Sequence, residues 1–293
     1  MPALQTEQLH PDAKGLDARA DDVILTSLLT GQMAALDAVS QALPGIAAGA
    51  TLMVRAIESG GRLIYAAAGS SGLMALADAA ELPGTYGISP ENIRILMAGG
   101  LPQGADMPGD TEDDAEDAAR AARDITAKDA VIAITASGST PYPSEIARIA
   151  HSKGAKVIAI ANNDPAPIFA HADVAITLAT PPEVIAGSTR LGAGTAQKAT
   201  LNMMSTLMGI RLGHVHDGMM VNLKADNAKL RDRAAGMVAS IAEVSHADAQ
   251  SALSHTQGQV KPAVLIAKGA DKDQATQLLD QSKGHLRAAL ARL

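Results

Sequence analysis

Between Gly60 and Leu178 the sequence repeats one pattern: a short apolar run rich in Ile, Val and Ala, closed by small residues and followed by an Ala-rich stretch with helical spacing. The runs are Arg62-Leu-Ile-Tyr-Ala-Ala, Ile93-Arg-Ile-Leu-Met, Ala130-Val-Ile-Ala-Ile-Thr, Lys156-Val-Ile-Ala-Ile-Ala and Asp173-Val-Ala-Ile-Thr-Leu. Most are almost continuously apolar, as strands covered on both faces must be. Strands separated by helices need crossover connections, so the pattern predicts an α/β fold with a doubly wound parallel sheet and right-handed crossovers. In such sheets ligands bind where loops leave the strand C-termini.

The flanks read differently. Before residue 60, Val23-Ile-Leu-Thr-Ser-Leu-Leu and then Met33 to Ile57 recur at three- and four-residue apolar spacing, a helical lead-in with Pro44 at a boundary. After about residue 195 the strand signal ends, and Ala196 to Leu212 reads as a long Met-rich helix. From about Asp226 the tail reads as amphipathic helices with connectors around Ser245-His-Ala-Asp248 and Gly269-Ala-Asp271, too short for a large second core. The expected division is an α/β domain over residues 1–225, N-terminal helices included, and a small helical subdomain over 226–293.

Composition narrows the function. The chain carries 24 Lys+Arg against 31 Asp+Glu, with the basic residues scattered, and only one Phe, three Tyr and no Trp to stack on bases. Nucleic acid is therefore not an expected partner. No apolar run approaches the roughly 18 uncharged residues of a membrane helix. The Met1-Pro-Ala-Leu-Gln-Thr-Glu start lacks the plan of a signal peptide, so the expected compartment is the cytoplasm. Without Cys there is no thiolate chemistry, and catalysis falls to oxygen and nitrogen groups.

Two strand-to-helix turns share one design. The first strand run leads into Ala68-Gly69-Ser70-Ser71-Gly72, and the Ala130–Thr135 run into Ala136-Ser137-Gly138-Ser139-Thr140-Pro141-Tyr142. Glycines expose backbone N–H groups, hydroxyls add donors, and the following helix N-terminus brings partial positive charge, which suits a phosphate. Ser/Gly-rich turns are also ordinary capping chemistry. Neither turn has P-loop or G-x-G-x-x-G spacing, which points away from nucleotides and toward a phosphorylated metabolite.

Two acidic segments could supply proton transfer. Asp78-Ala-Ala-Glu81 precedes a proline-defined turn and reads as a helix C-terminus, where a carboxylate opposes the helix dipole. Asp110-Thr-Glu112-Asp-Asp-Ala-Glu116-Asp117 precedes a helix running to about Asp124, where acids gather for dipole reasons alone. Two carboxylates converging beside a phosphosugar would act as general base and general acid next to a carbonyl. A third segment, Glu183 to Lys198, is a Gly/Ser/Thr loop feeding a helix, with Arg190 and Lys198 able to screen an anion or pair with surface carboxylates. The eight histidines offer no metal spacing, and His214-Val-His216 reads as a loop feature.

Taken together, Gly69-Ser-Ser-Gly72, Asp78-Ala-Ala-Glu81 with Pro83 and Thr85-Tyr-Gly87, Ala98-Gly-Gly100, Ala136-Ser-Gly138 with Thr140-Pro-Tyr142, and Ala193-Gly-Thr-Ala-Gln-Lys198 form a pattern. This pattern resembles the N-acetylmuramic acid 6-phosphate etherases of the sugar isomerase (SIS) domain superfamily. The likeness runs from Thr6-Glu7 to the helical tail. It implies a cytoplasmic homodimeric lyase of cell-wall sugar recycling that removes D-lactate from N-acetylmuramic acid 6-phosphate and leaves N-acetylglucosamine 6-phosphate, with no metal or organic cofactor. By the same resemblance Glu112 is the base at C2, and Glu81 protonates the departing lactate and then activates water. Ser70, Ser71, Ser137, Ser139 and Thr140 would hold the phosphate, with Ser188 and Lys198 near the sugar or the dimer seam.

Leu73, Ser139 and Gly192 stand where the family pattern has cations, Met107-Pro-Gly-Asp110 replaces its Val-Glu-Gly, and Gln8-Leu-His10 replaces its common Ser/Arg-Asn. Each lost charge-assisted hydrogen bond to the substrate's anionic groups is worth about 1.5–3 kcal/mol. Two other readings use the same fold: an isomerase of amino-sugar phosphates, which needs the same proton abstraction, and a non-catalytic phosphosugar-binding regulator.

Overall fold

The computed structural model describes residues 4–105, 107 and 110–293. The Met1-Pro-Ala start, and Pro108 and Gly109 of the segment before Glu112, lie outside the described residues. The chain forms two compact units: one holds the residues up to Ala79 together with Glu91–Ser205, the other Ala80–Pro90 with Thr206–Leu293.

In the first unit, α1 (Asp21–Gln41) and α2 (Leu43–Glu58) form the lead-in, with Pro44 in the first turn of α2, where its missing N–H costs nothing. Then come β1 (Leu63–Ala67) and α3 (Gly69–Ala79). The intervening α4 (Leu82–Tyr86) belongs to the second unit. Next are β2 (Ile93–Met97), α5 (Ala115–Ala121), β3 (Ala130–Thr135), α6 (Pro141–Ser152), β4 (Lys156–Ala161), β5 (Val174–Thr177) and α7 (Gly192–Arg211). All five predicted runs are strands, and they pair in parallel in the order β2-β1-β3-β4-β5. The chain thus steps to one side of β1 and returns to the other, so the switch point lies between β1 and β3, whose two C-terminal turns are the hydroxyl-rich ones.

Alternation along the strands feeds two faces. Ile64, Ala66, Val131, Ala133, Val157 and Ala159 pack with Ile146, Ala147 and Ala150 of α6 and Ala118 of α5. On the other face the Tyr65 hydroxyl of β1 donates to Asp78 of α3 at 2.8 Å, and Asp78 also accepts from Asn202 (2.8 Å) and Ser205 (2.9 Å) of α7. Asp78 is 3% exposed, so these three donors replace the water its charge would need. Burial, with Asp78 beside it, pushes the Tyr65 hydroxyl well above its ordinary pKa.

At the opposite end of the strands Arg62 clamps Asp129 and Asp124. Burial works against ionisation of Asp129, but Arg62 and the Thr126 and Arg62 N–H groups outweigh it and hold the carboxyl below its usual range. Asp124, bonded to Arg62 and then Arg94, is pulled down to about 2, although burial opposes this.

α1 departs from expectation in one respect. By length and composition it passes for a membrane-crossing helix, with mean hydropathy 1.4, which the charge-interrupted sequence did not suggest. It buries Ser27, Ala35 and Val39 and leaves Leu25, Leu29 and Met33 more than half exposed.

The second unit adds α8 (Ala228–Ala242), α9 (His246–His255), α10 (Val260–Ala267), α11 (Lys272–Gln281) and α12 (Leu286–Leu290). The predicted connectors are helix starts: Ser245 accepts from the Asp248 N–H, and Asp271 from the Gln274 N–H. Though short, this unit closes a core of its own around Val238, Val264, Leu265 and Ala289.

Candidate active site

The site starts from the turn after β3. Thr135, the last strand residue, brings its hydroxyl 2.7 Å from that of Thr140 and 3.2 Å from that of Ser137. Ser137 Oγ in turn accepts from the Ser139 N–H (3.2 Å) and from the Ser139 hydroxyl (3.3 Å). Gly138 holds φ +82° there, and a Cβ would stand 2.5 Å from that of Ala166. Only glycine fits. Ser137, Ser139 and Thr140, predicted from sequence as a phosphate-binding group, are thus one hydroxyl cluster at the start of α6.

The turn after β1 is tighter. α3 begins at Gly69 (φ +52°), so Ser70 and Ser71 lie in its first turn, where backbone N–H groups have no intrahelical acceptor. Ser70 is half-buried and Ser71 buried. Glu112 reaches this turn from the segment before α5: a Cβ at Gly69 would lie 2.5 Å from Glu112 Oε1. Its backbone carbonyl accepts the Tyr142 N–H of α6 at 3.0 Å. Glu112 therefore touches the starts of both α3 and α6. The neighbouring acids behave as the dipole argument expects, since Asp114 caps α5 by accepting from the Asp117 N–H.

Glu81 is placed otherwise than expected. α3 ends at Ala79, and Glu81 stands just before the first residue of α4, its carbonyl accepting the Thr85 N–H. A carboxylate at a helix N-terminus is favoured by the dipole, so no opposing force is needed to retain it. Its side chain is exposed, and it belongs to the second unit. Ser188 is half-buried in the loop before α7, Lys198 is exposed on α7, and neither joins the hydroxyl cluster.

Of the three positions without the expected cation, Leu73 and Ser139 are exposed, whereas Gly192 is buried. The Glu183 carboxylate accepts the Gly192 and Ala193 N–H groups at 2.8 Å each and so caps α7. A Cβ at 192 would stand 3.1 Å from Glu183 Oε2 and 3.2 Å from the Ala35 Cβ, a crowded place for a lysine stem.

Sequence reasoning missed Thr135, which completes the cluster, and Asn163. The Asn163 amide donates to the Ala136 carbonyl (2.8 Å) and to Thr6 Oγ1 (3.2 Å), and its carbonyl accepts the Gln5 N–H (2.8 Å). This fastens the N-terminal segment beside the β3 turn, where Gln5, Gln8, Ser137, Ser139 and Asn163 line a cleft of about 650 Å³. The available signal was the polar Asn162-Asn163 pair directly after an apolar strand. Among the described residues no group of His, Asp and Glu is arranged to hold a metal.

A parallel five-stranded sheet with hydroxyl-lined turns at its switch point places the first unit in the doubly wound α/β class. The SIS domain model matches residues 102–214. Beyond that domain, the chain is 40% identical over 292 residues to an N-acetylmuramic acid 6-phosphate etherase from Deinococcus radiodurans, covering 98% of this chain and 95% of that protein. It is also 40% identical over 293 residues to one from Serratia proteamaculans, covering 99% of each. The chain belongs to the N-acetylmuramic acid 6-phosphate etherase family.

Proposed function

We propose that this protein cleaves the lactyl ether of N-acetylmuramic acid 6-phosphate, giving N-acetylglucosamine 6-phosphate and D-lactate. The observation that carries the reading is the Glu112 carboxylate set against the Gly69 turn, beside the hydroxyl cluster that suits the phosphate. On the ring-opened sugar Glu112 takes the C2 proton. The C3–O bond then breaks, with Glu81 giving its proton to the departing lactate oxygen. Glu81, now a carboxylate, takes a proton from the water that adds to C3 of the unsaturated aldehyde, and Glu112 returns its proton to C2, which gives the product and restores both side chains. Ser70, Ser71, Ser137, Ser139 and Thr140 hold the phosphate with neutral donors, and Ser188 and Lys198 lie toward the sugar or the subunit seam.

The same reading sets the enzyme in cytoplasmic peptidoglycan recycling, as a homodimer and without a cofactor. The exposed stripe Leu25, Leu29, Met33 and Leu36 on α1 supports a second copy as the covering partner, because it repeats at helical spacing on one face. Leu29→Glu is expected to shift sedimentation from dimer to monomer, and membrane flotation of the wild type would contradict this.

The deciding assay follows D-lactate from purified protein and N-acetylmuramic acid 6-phosphate. Release from the wild type and its loss in Glu112→Gln support the reading. No release ends it, and deuterium exchange at C2 of another phosphosugar without release would favour an isomerase.

A further inference from the structure

In the second unit a cavity of about 420 Å³ is lined by Gly87, Asn222, Lys224, Gln259, Lys261 and Gly284, among others, with no carboxylate among its described lining residues. Its size suits a small metabolite. Lys261 is only 8% exposed, and its amine donates to one protein acceptor, the Gly284 carbonyl at 2.9 Å. An ammonium has three N–H donors, so two are left unmatched in a buried place, where a charge is costly unless paired. Burial accordingly lowers Lys261 to about 8.

Two further observations point the same way. α10 begins at this cavity without a side-chain cap, leaving the Val260 and Lys261 N–H groups toward its first turn. The unit as a whole carries 11 of the 24 basic residues against 9 of the 31 acidic ones, so its sign is opposite to that of the chain.

We propose that this cavity binds a small metabolite through a phosphate or carboxylate group, held by Lys261 from within and Lys224 at the rim. An oxyanion supplies the acceptors that Lys261 and the start of α10 lack, and the absence of lining acids removes the competitor for them. The site does not depend on the etherase reading, because no residue assigned to that reaction lines it.

The test uses the full-length protein with 13Cε-labelled lysine, titrated separately with inorganic phosphate and with acetate. The Lys261 signal, identified by its loss in Lys261→Met, is expected to shift saturably with one or both anions, and the responsive anion tells phosphate from carboxylate. Lys224→Gln should weaken that response about tenfold, the loss of one charge-assisted bond. Ser137→Ala should leave it unchanged, which separates this site from the hydroxyl turns. A Lys261 signal unmoved by either anion, or equally responsive in Lys224→Gln, overturns the proposal. Should Lys261→Met fold poorly, Lys261→Arg, which keeps the charge and carries no labelled lysine carbon, identifies the same signal.

Discussion

The two compact units treat buried ionisable groups in opposite ways. In the sheet unit each buried carboxylate meets its donors: Asp78 takes three, Asp129 takes Arg62 and two backbone N–H groups, and Glu183 takes two at the start of α7. In the helical unit the ionisable groups held out of water are basic, and two are under-satisfied: among the described residues Lys261 donates to a single carbonyl, and His214 Nδ1 has no partner. Full pairing gives a rigid frame that can hold reactive groups on its rim. Incomplete pairing stores an unfavourable term that a ligand, or a change of pH, can relieve.

The largest expected effect tests one exposed glutamate from each unit, Glu112 of the sheet unit and Glu81 of the helical one. Glu112→Gln and Glu81→Gln should each slow lactate release by about 10²–10⁴-fold, while thermal midpoints barely move because both side chains are exposed. A large fall in stability would mean that these glutamates belong to the frame. Next comes the frame itself: Asp78→Ala strands three buried donors and should cost about 3 kcal/mol in urea unfolding. A cost near zero would break the contrast between the units.

Acid should then separate the two. Burial, and next the charge of Lys261, depress His214 from 6.5 to about 4, so the unfolded state binds more protons between those values. The His214 contribution to the stability of the helical unit is therefore fully present above pH 6.5 and falls as pH drops toward 4. Asp124 makes its contribution above 3.8 and loses it toward about 2. Hydrogen exchange should accordingly show protection failing first in the helical unit, and His214→Gln should flatten its slope. In alkali the cause and the sign are the same: burial lowers Lys261 from 10.5 to about 8, so that unit gains stability as pH rises through this window, and Lys261→Met removes the gain. The smallest effect is Arg94→Gln, which removes a half-buried partner from the exposed Asp124, at about 0.5 kcal/mol or less.

Much of the frame was readable from the residues. A strand buried on both faces must be apolar at nearly every position, so five such runs announced five strands, and Pro44 marked a helix boundary; the stretches around Ser245 and Asp271 read as connectors, and only the structure shows these two residues capping the helices that follow. The hydroxyl turns were readable for the same reason, being local in sequence. Thr135 and Asn163 were not: a lone polar residue at a strand end gives no sign of which turn it will meet. Glu81 was misassigned to a helix end because the sequence does not reveal that α3 stops two residues earlier and a new helix begins.

The chain alone, through period and composition, decided the parallel sheet, the direction of its strands and the chemistry of its turns, since these depend on neighbours a few residues apart. Tertiary structure decided which distant groups meet. It brought Glu112 to Gly69, set Glu183 on the start of α7, joined residues 80–90 to the helical unit through the Tyr86 carbonyl and Asn222, and buried Lys261 beside Gly284. Such meetings depend on how helices pack across a core, and no local pattern encodes them.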